Sequence, residues 1–241
     1  MTTSSLTVKL VAEGSTALDR KRFRWGLSFA IGDDILFDTF GDAKIFGHNL
    51  KAMNIDGAKI RHVVISHDHW DHLAGLWPFL EEHKNLTVYL CPGFSSQTKT
   101  RVASLAGTVI EAAEGLKIKN DIYTTGAIRG VYEGKDIAEQ AVVIKTEQGL
   151  VVLTGCAHPG IVSIVEAVKK HFTEPLFLVA GGFHLKGSPE DEVKKAAQLL
   201  RSLGVQKVAP LHCTGVRAVQ LLRETFGKNF IHMKEGEEIE L

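Results

Sequence analysis

Apolar positions in the first forty residues fall in short runs rather than helical stripes. LTVKLV (6–11), GLSFAI (26–31) and DILFDTF (34–40) each read as a strand, and Gly32-Asp33 between the last two is a hairpin signal. Helix-like spacing follows at 42–53. RHVVIS (61–66) is a β-branched run bounded as a buried strand should be; HLAGLWPFLEEH (72–83) then has helical spacing, with Pro78 in its middle. LTVYLCP (86–92) predicts another strand, while the polar stretch 93–107 and the segment 126–138 predict loops that could close over a pocket.

Strands recur near 121–125, 140–146 and 150–154, with a turn at 147–149. From there the alternation is strict: helix 161–172, strand 176–180, helix 189–204, strand 207–211, helix 215–227 and strand FIHM (230–233). Ser188 before Pro189, with Glu190, Asp191 and Glu192 next, predicts a helix start. Strands first and helix–strand alternation behind them predict an α/β architecture of two packed sheets with helices outside. No linker, low-complexity tract or short repeat divides the 241 residues, so a single domain over 1–241 is expected.

Composition narrows the function classes. Lys plus Arg and Asp plus Glu both number 28, so no global field draws the chain to nucleic acid or to an anionic membrane, and specificity must reside in a local site. The opening MTTSSLTVKLVAEG lacks the basic start and apolar core of a secretory signal, and no run approaches the roughly 18 apolar residues of a membrane span. The expected location is the cytoplasm. Cys91, Cys156 and Cys213 are too few and too scattered for a disulfide framework and read as reduced thiols.

The chemistry concentrates in VVISHDHWDHLAGL (63–76), where His67, His69, Asp71 and His72 crowd the passage from a strand to a helix. At about 100° per residue they cannot share one helical face. A loop turning into a helix can instead offer His67 and His69 to one metal and Asp71 and His72 to a neighbour, so the spacing favours a dinuclear site. Imidazoles suit borderline cations such as Zn²⁺, a carboxylate adds charge and can orient water, and each metal needs about three or four ligands, so more must come from elsewhere. His158 in VVLTGCAHPG, His184 in FLVAGGFHLKG and His212 in VAPLHCTG each follow an apolar run and stand beside glycine, where catalytic groups gather on loops held by strand ends. His184 fits a metal ligand and a substrate contact equally. His48, His62, His83, His171 and His232 lie in helix-like or strand-like settings and read as bystanders, and Cys156 and Cys213 read as buried small side chains rather than ligands.

SHDHWDH carries the HxHxDH signature of the metallo-β-lactamase superfamily, which this sequence resembles. GLSFAI, ILFDT, SHDHWDHLAGL, AEQAVVIKTEQGLVVLTGCAHPGI, GGFHL and LHCTG are similar, in order, to the branch of dihydropterin-type synthases (7,8-dihydropterin-6-yl-methyl-4-(β-D-ribofuranosyl)aminobenzene 5′-phosphate synthases) and related metal-dependent hydrolases; the likeness covers about positions 26–215. It implies a metallo-β-lactamase-like αββα four-layer sandwich. By the same resemblance His67, His69 and His158 would hold one metal, Asp71, His72 and His212 the other, and Asp38 would stand close to the loop in support. Three features depart from the pattern. No acid occurs between Glu174 and Glu190, where most members place a metal-bridging Asp after the strand that here reads LVAGGFH, and His184 is its natural substitute. Phe40 replaces the Gly usual after the DT pair, and RWGLS stands where the branch often has a His before the Gly.

Two divalent ions, Zn first and Mn or Fe also accepted by these ligands, would acidify a shared water toward neutrality and polarise a substrate oxygen, with Asp71 orienting that water or taking its proton. Hydrolysis of an ester or phosphoester of a small molecule follows, with catalytic roles for Asp71 and His184. The alternatives are a synthase in which the pair clamps a pyrophosphate leaving group, and a non-catalytic metal-binding sensor. Arg20, Lys21, Arg22 and Arg24 beside Phe23 and Trp25 could receive a phosphate and stack a ring, or form a solvated loop. An iron redox enzyme of the superfamily would have an acid at position 69, and a nuclease would carry a large insertion with a basic groove; neither fits.

Overall fold

The computed structural model describes residues 6–17 and 23–241. Arg20, Lys21 and Arg22 of the basic segment lie outside them. Two compact units emerge: one comprises the described residues up to Leu90 with Phe94–Glu111 and Met233–Leu241, the other Cys91–Gly93 with Ala112–His232.

The first unit contains, among the described residues, a seven-stranded sheet. Its strands are β1 (Thr7–Ala17), β2 (Phe23–Ile31), β3 (Ile35–Phe37), β4 (His62–Val64), β5 (Thr87–Leu90) and β6 (Thr108–Glu111), in that order across the sheet, with Glu238–Glu240 on the outer edge of β1. The hairpin at Gly32-Asp33 forms as expected, and Gly32 has φ +54. From β3 to β6 the pairing is parallel. Between these strands run α1 (Ala43–Ala52), the short α2 (Trp70–Leu73), α3 (Leu76–Glu82) and α4 (Ser96–Leu105). Phe46 of α1 meets Phe79 of α3 edge to face at 6.0 Å.

The second unit holds β7 (Glu114–Lys119), β8 (Ile122–Gly126), β9 (Ile128–Tyr132), β10 (Lys135–Glu139), β11 (Val142–Thr146), β12 (Gly149–Thr154), β13 (Leu176–Gly182) and β14 (Lys207–Leu211). Its main sheet runs β14-β13-β12-β11-β8-β7, while β9 and β10 pair only with each other among the described residues. Strands β12, β13 and β14 are parallel neighbours joined through α5 (Ile161–His171) and α6 (Glu190–Ser202), and α7 (Val216–Phe226) follows β14. These three strands are buried along almost their whole length and correspondingly read as continuous apolar runs. One cluster, including Val152, Ile164, Val179, Leu200, Val208 and Leu222, packs the helices on that sheet.

Several sequence-based expectations are corrected. The stretch 93–107 is not a loop but contains α4: Ser95 Oγ accepts from Thr98 N to cap it, and only Val102 is buried, so no apolar stripe betrays it. The segment 126–138 is a hairpin, β9 to β10, whose two-residue turn has Glu133 at φ +48 and Gly134 at φ +74. The run 34–40 stops being a strand at Phe37, because Asp38 and Phe40 adopt φ +58 and +62. FIHM (230–233) makes a single bridge, Val208 to Phe230, and the strand appears instead at Glu238–Glu240. Helix α6 begins after Pro189, so Ser188 sits one residue too early to cap it.

Candidate metal centre

In the first unit the carboxyl ends of the parallel neighbours β3 and β4 deliver Asp38 and the loop that begins at Ile65, the side of an open sheet where ligands characteristically bind. The Asp38 backbone N–H donates to the Val64 carbonyl at 2.9 Å, tying the two exits together. The buried Asp38 carboxylate accepts from Ser66 N and Ser66 Oγ, both at 2.7 Å, and its Oδ2 lies 2.6 Å from His72 Nδ1. With Nδ1 so engaged, Nε2 of His72 faces Asp71, 3.3 Å from Oδ2. His67 Nε2 and His69 Nδ1 face each other at 3.1 Å, a separation at which two imidazole nitrogens need a proton or a cation between them. The four residues thus form two donor pairs, His67 with His69 and Asp71 with His72, each within 4.8 Å.

The remaining residues of the loop fix it in place. Asp68 is no part of the pairs: its carboxylate accepts from Ser95 N at 2.7 Å and Thr98 Oγ1 at 2.8 Å at the start of α4. Gly26, φ +122, lets the Asp71 carbonyl approach to where a Cβ would sit 2.1 Å away. Burial pushes the His72 pKa down, but the charges of Asp38 and Asp71 and their hydrogen bonds outweigh it and hold the imidazole well above its ordinary value of 6.5.

In the second unit the three parallel strands end side by side, and each exit carries one of the later histidines: His158 after β12, His184 after β13, His212 after β14. The His158 loop is built on Glu139, a fully buried carboxylate at the end of β10. Its Oε1 accepts from Cys156 N at 2.9 Å and Ala157 N at 2.7 Å; its Oε2 accepts from His158 N at 2.9 Å and meets His158 Nδ1 at 3.0 Å. Nδ1 is thereby committed to the carboxylate, and Nε2 is the ring atom that could coordinate a metal. The His158 ring lies 4.6 Å from that of His184, and Tyr132 of β9 stands edge-on to both, at 4.6 and 5.3 Å. His184 is exposed, and its packing against neighbours, then the charge on His158, pushes its pKa below the ordinary value. His212 is buried, with a ring nitrogen within 4.8 Å of Cys156 Sγ.

Asp38, Ala157, His184 and His212 all adopt positive φ, at 58, 64, 51 and 51°. Such backbone is costly for side chains with a Cβ and concentrates where geometry at a site outweighs comfort. Asp38 stands close to the loop, hydrogen-bonded to Ser66 and His72. Glu139 and Tyr132 were missed, because the partners of Glu139 are mostly main-chain amides 17 to 19 residues away, which leave no residue pattern. The donor sets, imidazole nitrogen with carboxylate oxygen or thiol, fit a divalent transition ion.

Residues 33–127, which include the His67–His72 loop, match the family model described as a β-lactamase superfamily domain. The solved structure of Tm1679, described as a metal-dependent hydrolase of the β-lactamase superfamily, superposes with TM-score 0.79 at 28% identity, covering 98% of this chain and 99% of that one. YhfI of Bacillus subtilis, a metallo-β-lactamase fold protein, gives TM-score 0.70 at 16% identity over 98% of this chain and 100% of its own, a likeness of fold. The architecture is therefore the α/β fold of the metallo-β-lactamase superfamily, and the chain resembles its members over nearly its whole length. It is also similar to the 7,8-dihydropterin-6-methyl-4-(β-D-ribofuranosyl)-aminobenzene-5′-phosphate synthase of Methanocaldococcus jannaschii, 28% identical over 88% of each chain. These relatives support an enzyme. Among the described residues, no helix is long and apolar enough to cross a membrane.

Proposed function

We propose that this chain is a metal-dependent hydrolase of a small-molecule ester or phosphoester, working with two divalent cations. By the family resemblance, His67, His69 and His158 would hold one, and Asp71, His72 and His212 the other. The observation that carries the reading is the sorting of the first four candidates into two adjacent donor pairs, with the His72 imidazole fixed from behind by Asp38.

When bound, such a pair supplies Lewis acidity and a water acidified toward neutral pH. The residues do the rest. Asp71, a buried carboxylate, orients the attacking water and accepts its proton. Asp38 and Glu139 fix the tautomers of His72 and His158 and hold both rings still. His184, exposed beside Tyr132, faces the substrate. A phosphorylated substrate is the favoured class and the cytoplasm the favoured location; neither nucleic acid nor membrane enters the scheme.

Metal analysis of purified protein, then hydrolysis of bis(4-nitrophenyl) phosphate before and after chelation and reloading with Zn, Mn or Fe, tests this. About two ions per chain, with turnover that chelation abolishes and that His67→Ala lacks, are expected; no bound ion would sink the reading. The M. jannaschii relative, named a synthase, favours a second reading in which pyrophosphate is displaced by another nucleophile. Release of pyrophosphate from an activated pterin, without phosphoester hydrolysis, would select it, and ion binding with neither reaction would leave a sensor.

A further inference from the structure

We propose that Cys156 donates its sulfur to the cation assigned above to His212, in place of the carboxylate that the sequence lacks after β13. The inference rests on that assignment and adds a ligand that resemblance does not supply.

Histidine at position 184 looks like the substitute for the missing acid, but the second unit sorts its donors differently. The His184 ring packs against His158 and Tyr132, at 4.6 and 5.3 Å, and is exposed. Beside His212 stands Cys156 instead, its Sγ within 4.8 Å of a His212 ring nitrogen. Cys156 is 4% and His212 1% exposed, so the pair shares one buried place. None of Cys91, Cys156 and Cys213 is in a disulfide.

The second nearby thiol is oriented elsewhere. Cys213 Sγ donates to the Cys156 carbonyl at 3.4 Å. A Cβ on Gly182 would fall 2.7 Å from Cys213 Sγ and 3.1 Å from Cys156 Cα, so the bare glycine lets both cysteines pack here. Glu139 Oε1 pins the Cys156 amide at 2.9 Å. Backbone and neighbours therefore hold Cys156 from behind and leave its side chain beside the imidazole.

On binding, the Sγ–H bond breaks, its proton passes to solvent and a sulfur–metal bond forms, with no change of oxidation state. A sulfur, nitrogen and oxygen donor set favours Zn²⁺ over Mn²⁺ and Mg²⁺, which prefer oxygen.

Replacing zinc by Co²⁺ in the full chain gives a direct reading, since thiolate ligation adds an intense near-ultraviolet charge-transfer band that imidazole and carboxylate do not. The band is expected in the parent protein, lost in Cys156→Ser and retained in Cys213→Ser and Cys91→Ser. Competition with a chelator should show one of two ions weakened by about a hundredfold in Cys156→Ser, roughly 2.7 kcal/mol, and Cys156→Ala should match it, with circular dichroism checking the fold. Two bound cobalt ions without the band, or a band that survives Cys156→Ser, overturn this inference alone. No bound cobalt in the parent protein overturns the dinuclear reading and this inference with it.

Discussion

Asp38 Oδ2 lies 2.6 Å from His72 Nδ1, and both side chains are wholly buried. The same carboxylate takes two further hydrogen bonds from Ser66, so one acid organises the exit of β4 and turns His72 Nε2 toward Asp71. Removing it leaves an imidazole, an amide and a hydroxyl buried together. Asp38→Ala should therefore cost about 3–5 kcal/mol in urea unfolding of the metal-free protein, and Asp38→Asn less, about 1–3 kcal/mol.

The pair also sets a pH dependence in the metal-free protein. Asp38 and Asp71 raise the His72 pKa above 6.5 despite its burial, so their stabilising effect is fully present below about that pH and is lost as pH rises through the raised value. Unfolding midpoints of parent and Asp38→Asn proteins should differ most at mildly acidic pH and draw together in alkali. A constant difference across the range would show that His72 does not carry the charge.

Glu139 performs the corresponding service in the second unit, gathering three consecutive amides and His158 Nδ1 on one carboxylate. Glu139→Gln keeps the shape but introduces an NH₂ where two donors already converge on Oε2. Amide hydrogen exchange at 156–158 should rise sharply, and affinity for one ion should fall by about 10–100-fold. Slow exchange at those amides in the variant would mean that other contacts hold the loop.

Sequence pattern reached the regular parts of the chain and stopped where partners are distant or solvated. The parallel strands β12, β13 and β14 were legible because both faces are buried, and their exits led directly to His158, His184 and His212. Helix α4 escaped because a helix that buries only Val102 has no stripe to read. Strand Glu238–Glu240 is too short and polar to stand out; it forms because the edge of β1 is available. Asp38 was found by likeness to a family, whereas Glu139 looks like any other acid until the turn at 156–158 folds onto it. Cys156 reads as a buried small side chain because its neighbour His212 lies 56 positions along the chain.

Phe40 sets two effects against each other. Its φ of +62 belongs to glycine, the residue usual in the resembling family, yet its ring is fully buried. Losing a buried Phe costs about 3–5 kcal/mol, more than the roughly 1–3 kcal/mol of strain that glycine relieves, so Phe40→Gly should be less stable than the parent by about 2 kcal/mol. The informative comparison is alanine, which loses the ring and keeps the strain. Phe40→Ala should unfold at lower urea than Phe40→Gly, the reverse of the usual order of the two residues, and equal midpoints would remove strain from the account.

Gly26 tests how tightly the ligand loop is braced. At φ +122, a Cβ would sit 2.1 Å from the Asp71 carbonyl oxygen and 2.8 Å from Gly41 N, both main-chain atoms that cannot swing aside. Gly134 in the β9–β10 turn also has positive φ, +74, but a Cβ there meets nothing within 4 Å. Gly134→Ala should cost only backbone strain, about 1 kcal/mol, and leave ion binding untouched. Gly26→Ala should add a steric term for a total of about 2 kcal/mol or more, and because the atom it pushes is the carbonyl of Asp71, ion affinity should fall with it. Unfolding curves and cobalt titrations of the two variants separate these outcomes: if both lose stability alike and bind ions alike, the close approach of β2 to the Asp71 backbone has no part in setting the site.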